Sequence, residues 1–206
     1  MPLQPTSRGS GKTLPAVGGN YIVQYDGSSS TFFLQWINSQ SQPSSEKTGL
    51  TTVDQLSTDG TNICATFSST TKCGTLRLNN GNRVWKTTTN NFLSTAMTAN
   101  SMTMFGLNNN KNLNRAAVAG ITSGTVSWSL VTAPAFTKIA YDGKRVCGIK
   151  TDQSIVCTTS NLTSLMPPTW SAPLPQSNWK SLALSNDNIY AVSSTNSVQR
   201  IAAPIL

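Results

Sequence analysis

The sequence predicts an all-β fold, a five-bladed β-propeller of four-stranded blades about 42 residues long. Three observations carry this. A short apolar segment recurs five times at a nearly fixed interval, turn dipeptides flank each copy, and Ser, Thr and Asn fill the polar positions. β-branched Thr suits strands, Asn and Ser support tight turns, and the Ala/Glu/Lys/Leu-rich stretches of helices are missing.

The recurring segments are residues 22–25 (IVQY), 63–66 (ICAT), 104–107 (MFGL), 146–149 (VCGI) and 189–192 (IYAV). Their starts lie 41, 41, 42 and 43 residues apart, and the third position is Ala or Gly in all but the first, which has Gln24. Seven residues upstream stand Leu56, Met97, Ile139 and Leu182, with Pro15 the exception in the first unit. Between that apolar residue and the segment lies a turn signal: Gly18-Gly19, Asp59-Gly60, Asn100-Ser101, Asp142-Gly143 or Asn186-Asp187. Polar turn residues and another β-like run follow, and a Trp then stands at matching places in three units, as Trp85, Trp128 and Trp170. Each unit reads strand, turn, strand, turn, strand and a looser fourth segment, which is the content of a propeller blade. Helical repeats of this length would show a 3.6-residue period, and these units do not.

The repeats divide a single domain, residues 1–206, at approximately 14–51, 52–90, 91–133, 134–177 and 178–206. The last unit is short. Residues 1–13 are expected to supply its missing outer strand, closing the ring and removing an exposed sheet edge.

Cys64 and Cys73 lie nine residues apart, Cys147 and Cys157 ten, and the first of each pair is the second residue of a core segment. A hairpin brings such residues face to face. The expected disulfides are therefore Cys64–Cys73 and Cys147–Cys157. Zinc prefers shorter Cys spacings and often recruits His; the chain has no His, so no metal or cofactor is expected. Disulfides imply an oxidising compartment, hence secretion. The N-terminus has no apolar core of a signal peptide, so the chain reads as a mature form, and no apolar run is long enough to span a membrane. Asn161, in Asn161-Leu162-Thr163, is a candidate glycosylation site.

The last unit, from Asn178-Trp179 through 189–192 (IYAV) to Ile201, resembles the tectonin repeat, and 146–157 (VCGIKTDQSIVC) resembles its Cys-containing form in secreted tectonin-like proteins. The resemblance is good in units four and five, fair in two and poor in one and three. It implies a β-propeller lectin that binds glycans of cell surfaces or walls, but transfers no binding motif. The chain departs from the family in its longer units and in having the heading Trp only at Trp179, with Phe92 and Phe136 elsewhere.

Catalysis has little to draw on. Without His, a Ser-His-Asp triad or Cys-His pair is excluded. The seven carboxylates are Asp26, Glu46, Asp54, Asp59, Asp142, Asp152 and Asp187; of these Asp59, Asp142 and Asp187 sit in turns, where Asp has a structural reason to be. Gly11-Lys12-Thr13 lacks the earlier glycine of a phosphate-binding loop. The net charge of +8 is scattered, which points to general surface charge and not to a nucleic-acid groove.

Glycan binding needs an aromatic platform beside hydroxyl and amide groups. Trp85, Trp128, Trp170 and Trp179 are the candidates, and packing between blades is the competing role for the first three. The expected function is a secreted, non-catalytic, multivalent glycan-binding propeller. The alternative is a protein-binding propeller, an inhibitor of a secreted enzyme or a component of an extracellular assembly. Polyanion binding is a third reading.

Overall fold

The computed structural model describes residues 53–67, 70–75, 85–88, 91–98, 101–159, 162, 167–174, 178–185 and 187–204, together with the backbone of four earlier strands. Residues 1–13, expected to close the ring, and Asn161 lie outside the described residues.

The described strands form five antiparallel sheets in chain order. Sheet 1 holds β1 (Ala16–Gly18), β2 (Tyr21–Asp26), β3 (Thr31–Ile37) and β4 (Pro43–Lys47). Sheet 2 holds β5 (Gln55–Thr58), β6 (Asn62–Phe67), β7 (Thr70–Thr75) and β8 (Lys86–Thr87). Sheet 3 holds β9 (Phe92–Ala96), β10 (Thr103–Asn108), β11 (Leu113–Ala117) and β12 (Ser129–Leu130), with the short helix α1 (Ala119–Ser123) before its last strand. Sheet 4 holds β13 (Phe136–Tyr141), β14 (Val146–Lys150) and β15 (Ile155–Cys157), extended by a single bridge from Thr158 to Trp170. Sheet 5 holds β16 (Trp179–Ser185), β17 (Asn188–Ser193) and β18 (Val198–Ala202). The five core segments fall in β2, β6, β10, β14 and β17, each the second strand of its sheet.

The first strands meet in succession: β1 packs on β5, β5 on β9, β9 on β13 and β13 on β16. Alternation along each second strand then sends one face backward and one forward. Phe105, Leu107 and Leu113 of sheet 3 share a buried cluster with Phe136, Ile139, Val146 and Val156 of sheet 4. Cys147, Ile149, Ile155 and Cys157 of sheet 4 share the next with Trp179, Ile189 and Ala191 of sheet 5. The core is thus a series of sheet-to-sheet seams, each burying apolar side chains that stabilise by about 1.5–3 kcal/mol apiece.

Main-chain bonds fix the same seams. Lys111, Gln153 and Asn196 occupy one position of three hairpins, with φ of 63°, 64° and 65°. The Lys111 carbonyl accepts from the Phe136 amide at 3.1 Å, and the Gln153 carbonyl accepts from the Trp179 amide at 3.1 Å. The first two of these left-handed turns therefore present a carbonyl to the first residue of the following sheet.

Two alignments made from the sequence shift. Leu56, Ile139 and Leu182 face Ala65, Gly148 and Ala191, the small residues of their core segments, but in sheet 3 the residue facing Gly106 is Thr95. Met97 lies two residues further on, because sheet 3 has a longer first turn. Thr95 serves the seam through polar bonds: its Oγ1 lies 2.7 Å from Ser57 Oγ, and its amide donates to Gln55 Oε1 at 2.8 Å. Asp187 likewise differs from Asp59 and Asp142. Those two cap four-residue turns with Oδ1, which accepts from two amides each, those of Thr61 and Asn62 and those of Lys144 and Arg145. Asp187 lies in a two-residue turn between Ser185 and Asn188 and turns its carboxylate to Arg145 of the preceding sheet.

Candidate protein-binding groove and the place of the tryptophans

The cysteines pair within their sheets. Cys64 bonds Cys73 and Cys147 bonds Cys157, with Cα atoms 4.1 and 4.0 Å apart, and each pair is also a directly facing pair in its hairpin. All four are fully buried, and among the described residues no group of His, Cys, Asp or Glu could hold a metal ion.

Trp128 and Trp170 lie in the seams. Trp128 packs on Phe92 with ring centroids 4.3 Å apart, in a cluster that includes the Cys64–Cys73 disulfide. Trp170 packs on Phe136 at 5.1 Å and donates its indole N–H to the Thr132 carbonyl at 3.2 Å. Both phenyl rings in turn cover the glycine of their own core segment, Gly106 and Gly148, where an added Cβ would come within 3.0 Å of the Phe92 Cγ and 2.7 Å of the Phe136 Cγ. Trp179 is buried over sheet 4 in the cluster that holds Ala191. Trp85, just before β8, is half-buried. In sheets 3 and 4 the Trp and the glycine of the core segment are thus two sides of one packing unit around a phenyl ring.

The surface opens elsewhere. Where the first turn of sheet 3 is longest, Met102 stands 82 % exposed, held by its carbonyl, which accepts from the Val118 amide at 2.9 Å. Beside it a groove of about 360 Å³ runs between Met102, the second half of β11, the segment entering β12 and Leu162 of the following unit. Arg115 lines it, with Ala116, Ala117, Ser127 and Ser129, and among the described residues no acidic one does. Arg115 also reaches the Leu162 carbonyl, at 3.5 Å. Ala117, also exposed, continues the apolar lining along β11. β12 pairs with Asn114 and Arg115 alone, so the Ala116–Ala117 end of β11 extends beyond its neighbour. An apolar rim, one cation and a short edge strand suit an extended protein segment better than a sugar. The sequence reading missed this groove; the longer turn before residues 104–107 was its one visible sign.

Arg145, 4 % exposed, crosses from sheet 4 to sheet 5. Its guanidinium contacts Asp187, donates to the Pro204 carbonyl at 2.7 Å, and pairs with Asp142 Oδ2 at 3.2 Å. Tyr141 lies one seam earlier. Its hydroxyl is 3.0 Å from Ser101 Oγ and donates to the Gly143 carbonyl, and burial raises its pKa above the ordinary value of 10, against the Ser101 bond and with the Asp142 charge. Asp152 is held below the usual carboxylate range by Lys150 and by two bonds from Ser154. These groups serve turns and seams.

No family model matches the chain, and no curated protein matches it in sequence. Solved structures do match in shape. Human WBSCR16 superposes with a TM-score of 0.64 at 9 % identity, over 93 % of this chain and 62 % of that one. Prp20p of Saccharomyces cerevisiae, described with its binding to Gsp1p and histones, gives 0.52 at 12 % identity over 82 % of this chain and 51 % of that one. The structure of Kap60 bound to yeast RCC1 (Prp20) gives 0.51 at 10 % over 74 % and 44 %. The chain therefore spans about half to three fifths of the length of the proteins it resembles. Successive antiparallel sheets packed seam to seam, superposing on RCC1-type structures, make this chain a β-propeller.

Proposed function

We propose that the chain is a non-catalytic protein-binding propeller that works in an oxidising compartment, and that the groove beside Met102 takes an extended segment of its partner. The observation that carries this is the grouping of exposed Met102 with Arg115, Ala116 and Ala117 on a groove with no acidic lining among the described residues. The net charge of +8 favours an acidic partner segment. Support from likeness is limited to the fold, although two of the resembling structures are described with protein partners. The two buried disulfides support the compartment.

Two of the aromatic platforms expected for glycan binding, Trp128 and Trp170, pack on Phe92 and Phe136, which favours the protein-binding reading. The test is a paired one. The intact protein is offered to a glycan array and, separately, coupled to a support for partner capture beside a Met102→Glu/Ala117→Glu variant. A partner retained by the wild type and lost by the variant, with an empty array, fits the proposal. Saturable glycan binding that survives in the variant contradicts it.

A further inference from the structure

Among the described residues the sulfur atoms are held away from water, with one exception. All four cysteines are in disulfides and fully buried. Met104 is fully buried and Met97 is 8 % exposed, both in the cluster around the Cys64–Cys73 bond. Met102 lies between them in sequence and is 82 % exposed. Among the described residues it is the one sulfur that a dissolved oxidant reaches freely.

The backbone around Met102 is fixed on both sides. Ser101 Oγ donates to the Thr103 carbonyl at 2.7 Å, accepts from the Thr103 amide at 3.1 Å and lies 3.0 Å from the Tyr141 hydroxyl. The Met102 carbonyl accepts from the Val118 amide. The side chain is thus presented to solvent from a bonded main chain, on the groove that Arg115, Ala116 and Ala117 also line. A thioether in that position is an apolar, adaptable contact and also a target for peroxides.

We propose that Met102 is an oxidation site, through which hydroperoxides turn the groove from apolar to polar and release its partner. The release rests on the groove being the partner's site; the choice of Met102 over the other sulfurs does not. The Met102 sulfur attacks one oxygen of hydrogen peroxide: an S–O bond forms, the O–O bond breaks, and the second oxygen leaves as water. The sulfur gives up two electrons and becomes a sulfoxide. That group sets a strong dipole where an apolar side chain of the partner would pack, and docking would then have to strip it of water. A sulfoxide reductase with a dithiol reverses the step, the oxygen leaving as water and the dithiol becoming a disulfide.

The test treats the intact chain with dilute hydrogen peroxide and follows each methionine by peptide mass. Met102 should gain its oxygen at least about tenfold faster than Met97 and Met104, since susceptibility follows exposure. Equal rates at the three would overturn the proposal. The oxidised wild type should then bind the captured partner at least about tenfold more weakly and recover on treatment with the reductase. Met102→Leu, whatever its own affinity, should show no response to peroxide, which separates Met102 from every other methionine. An oxidised wild type that binds as before, while Met102→Glu/Ala117→Glu loses the partner, would overturn the switch and leave the groove standing. A partner retained by that double variant would sink the groove reading and the release with it, whatever the order of oxidation.

Discussion

The ring of Phe136 lies between Gly148 and Trp170: a Cβ on the glycine would come within 2.7 Å of the ring's Cγ, and the indole packs on the ring with centroids 5.1 Å apart. Phe92, Gly106 and Trp128 repeat the arrangement one sheet earlier. Gly148→Ala should therefore destabilise by about 1–3 kcal/mol through overpacking, read as a lower urea midpoint with an unchanged slope. Trp170→Ala, which empties the other side of the ring, should cost about 3–5 kcal/mol.

Arg145 holds the seam between sheets 4 and 5 through Asp142, Asp187 and the Pro204 carbonyl. Its Asp187 partner is largely exposed and returns to water when the arginine goes, whereas the Asp142 side chain is 9 % exposed and keeps only the two amides on its Oδ1. Arg145→Met should cost at least about 1.5–3 kcal/mol, the range for a lost bond to a charged group. Hydrogen exchange should show β16–β18 opening first.

Each disulfide closes a short hairpin. Replacing Cys64 and Cys73 together by Ala should lower stability by about 2.7 kcal/mol in the chain-entropy model, and the Cys147/Cys157 double variant should do nearly the same. The two losses should add, because separate seams hold the two bonds. Thermal unfolding of the four proteins in one buffer checks both points.

Burial raises the pKa of Tyr141 above 10. The folded protein therefore favours the neutral phenol. That contribution is fully present below pH 10 and is lost as pH rises through the raised folded value. Phenolate absorbance should show one tyrosine titrating late, absent in Tyr141→Phe, and the variant should lose less stability between neutral pH and the alkaline limit.

Scaffold was legible in the sequence because packing repeats. The core segments, both disulfides and the turn aspartates Asp59 and Asp142 recur at fixed spacing, and the structure gives each a partner set by register. What repetition hides is the exception. Met97, seven residues before Met104, is buried in the core, but the turn of sheet 3 is longer and Thr95, not Met97, faces Gly106. The same lengthening produces exposed Met102 and the groove, so the deviation from the repeat marks the candidate site. Trp128 and Trp170 offered no such clue. A repeated aromatic suits a binding platform and a blade seam equally, and only its contact with Phe92 or Phe136 separates the two.

The central claim is that protein, and not sugar, is bound, and at the groove beside Met102. The most direct measurement is the affinity of the captured partner for wild type and for Met102→Glu/Ala117→Glu, with both disulfides intact. The account predicts a loss of at least about tenfold, equivalent to about 1.4 kcal/mol, with unchanged thermal stability. Equal affinities for the two proteins would contradict it.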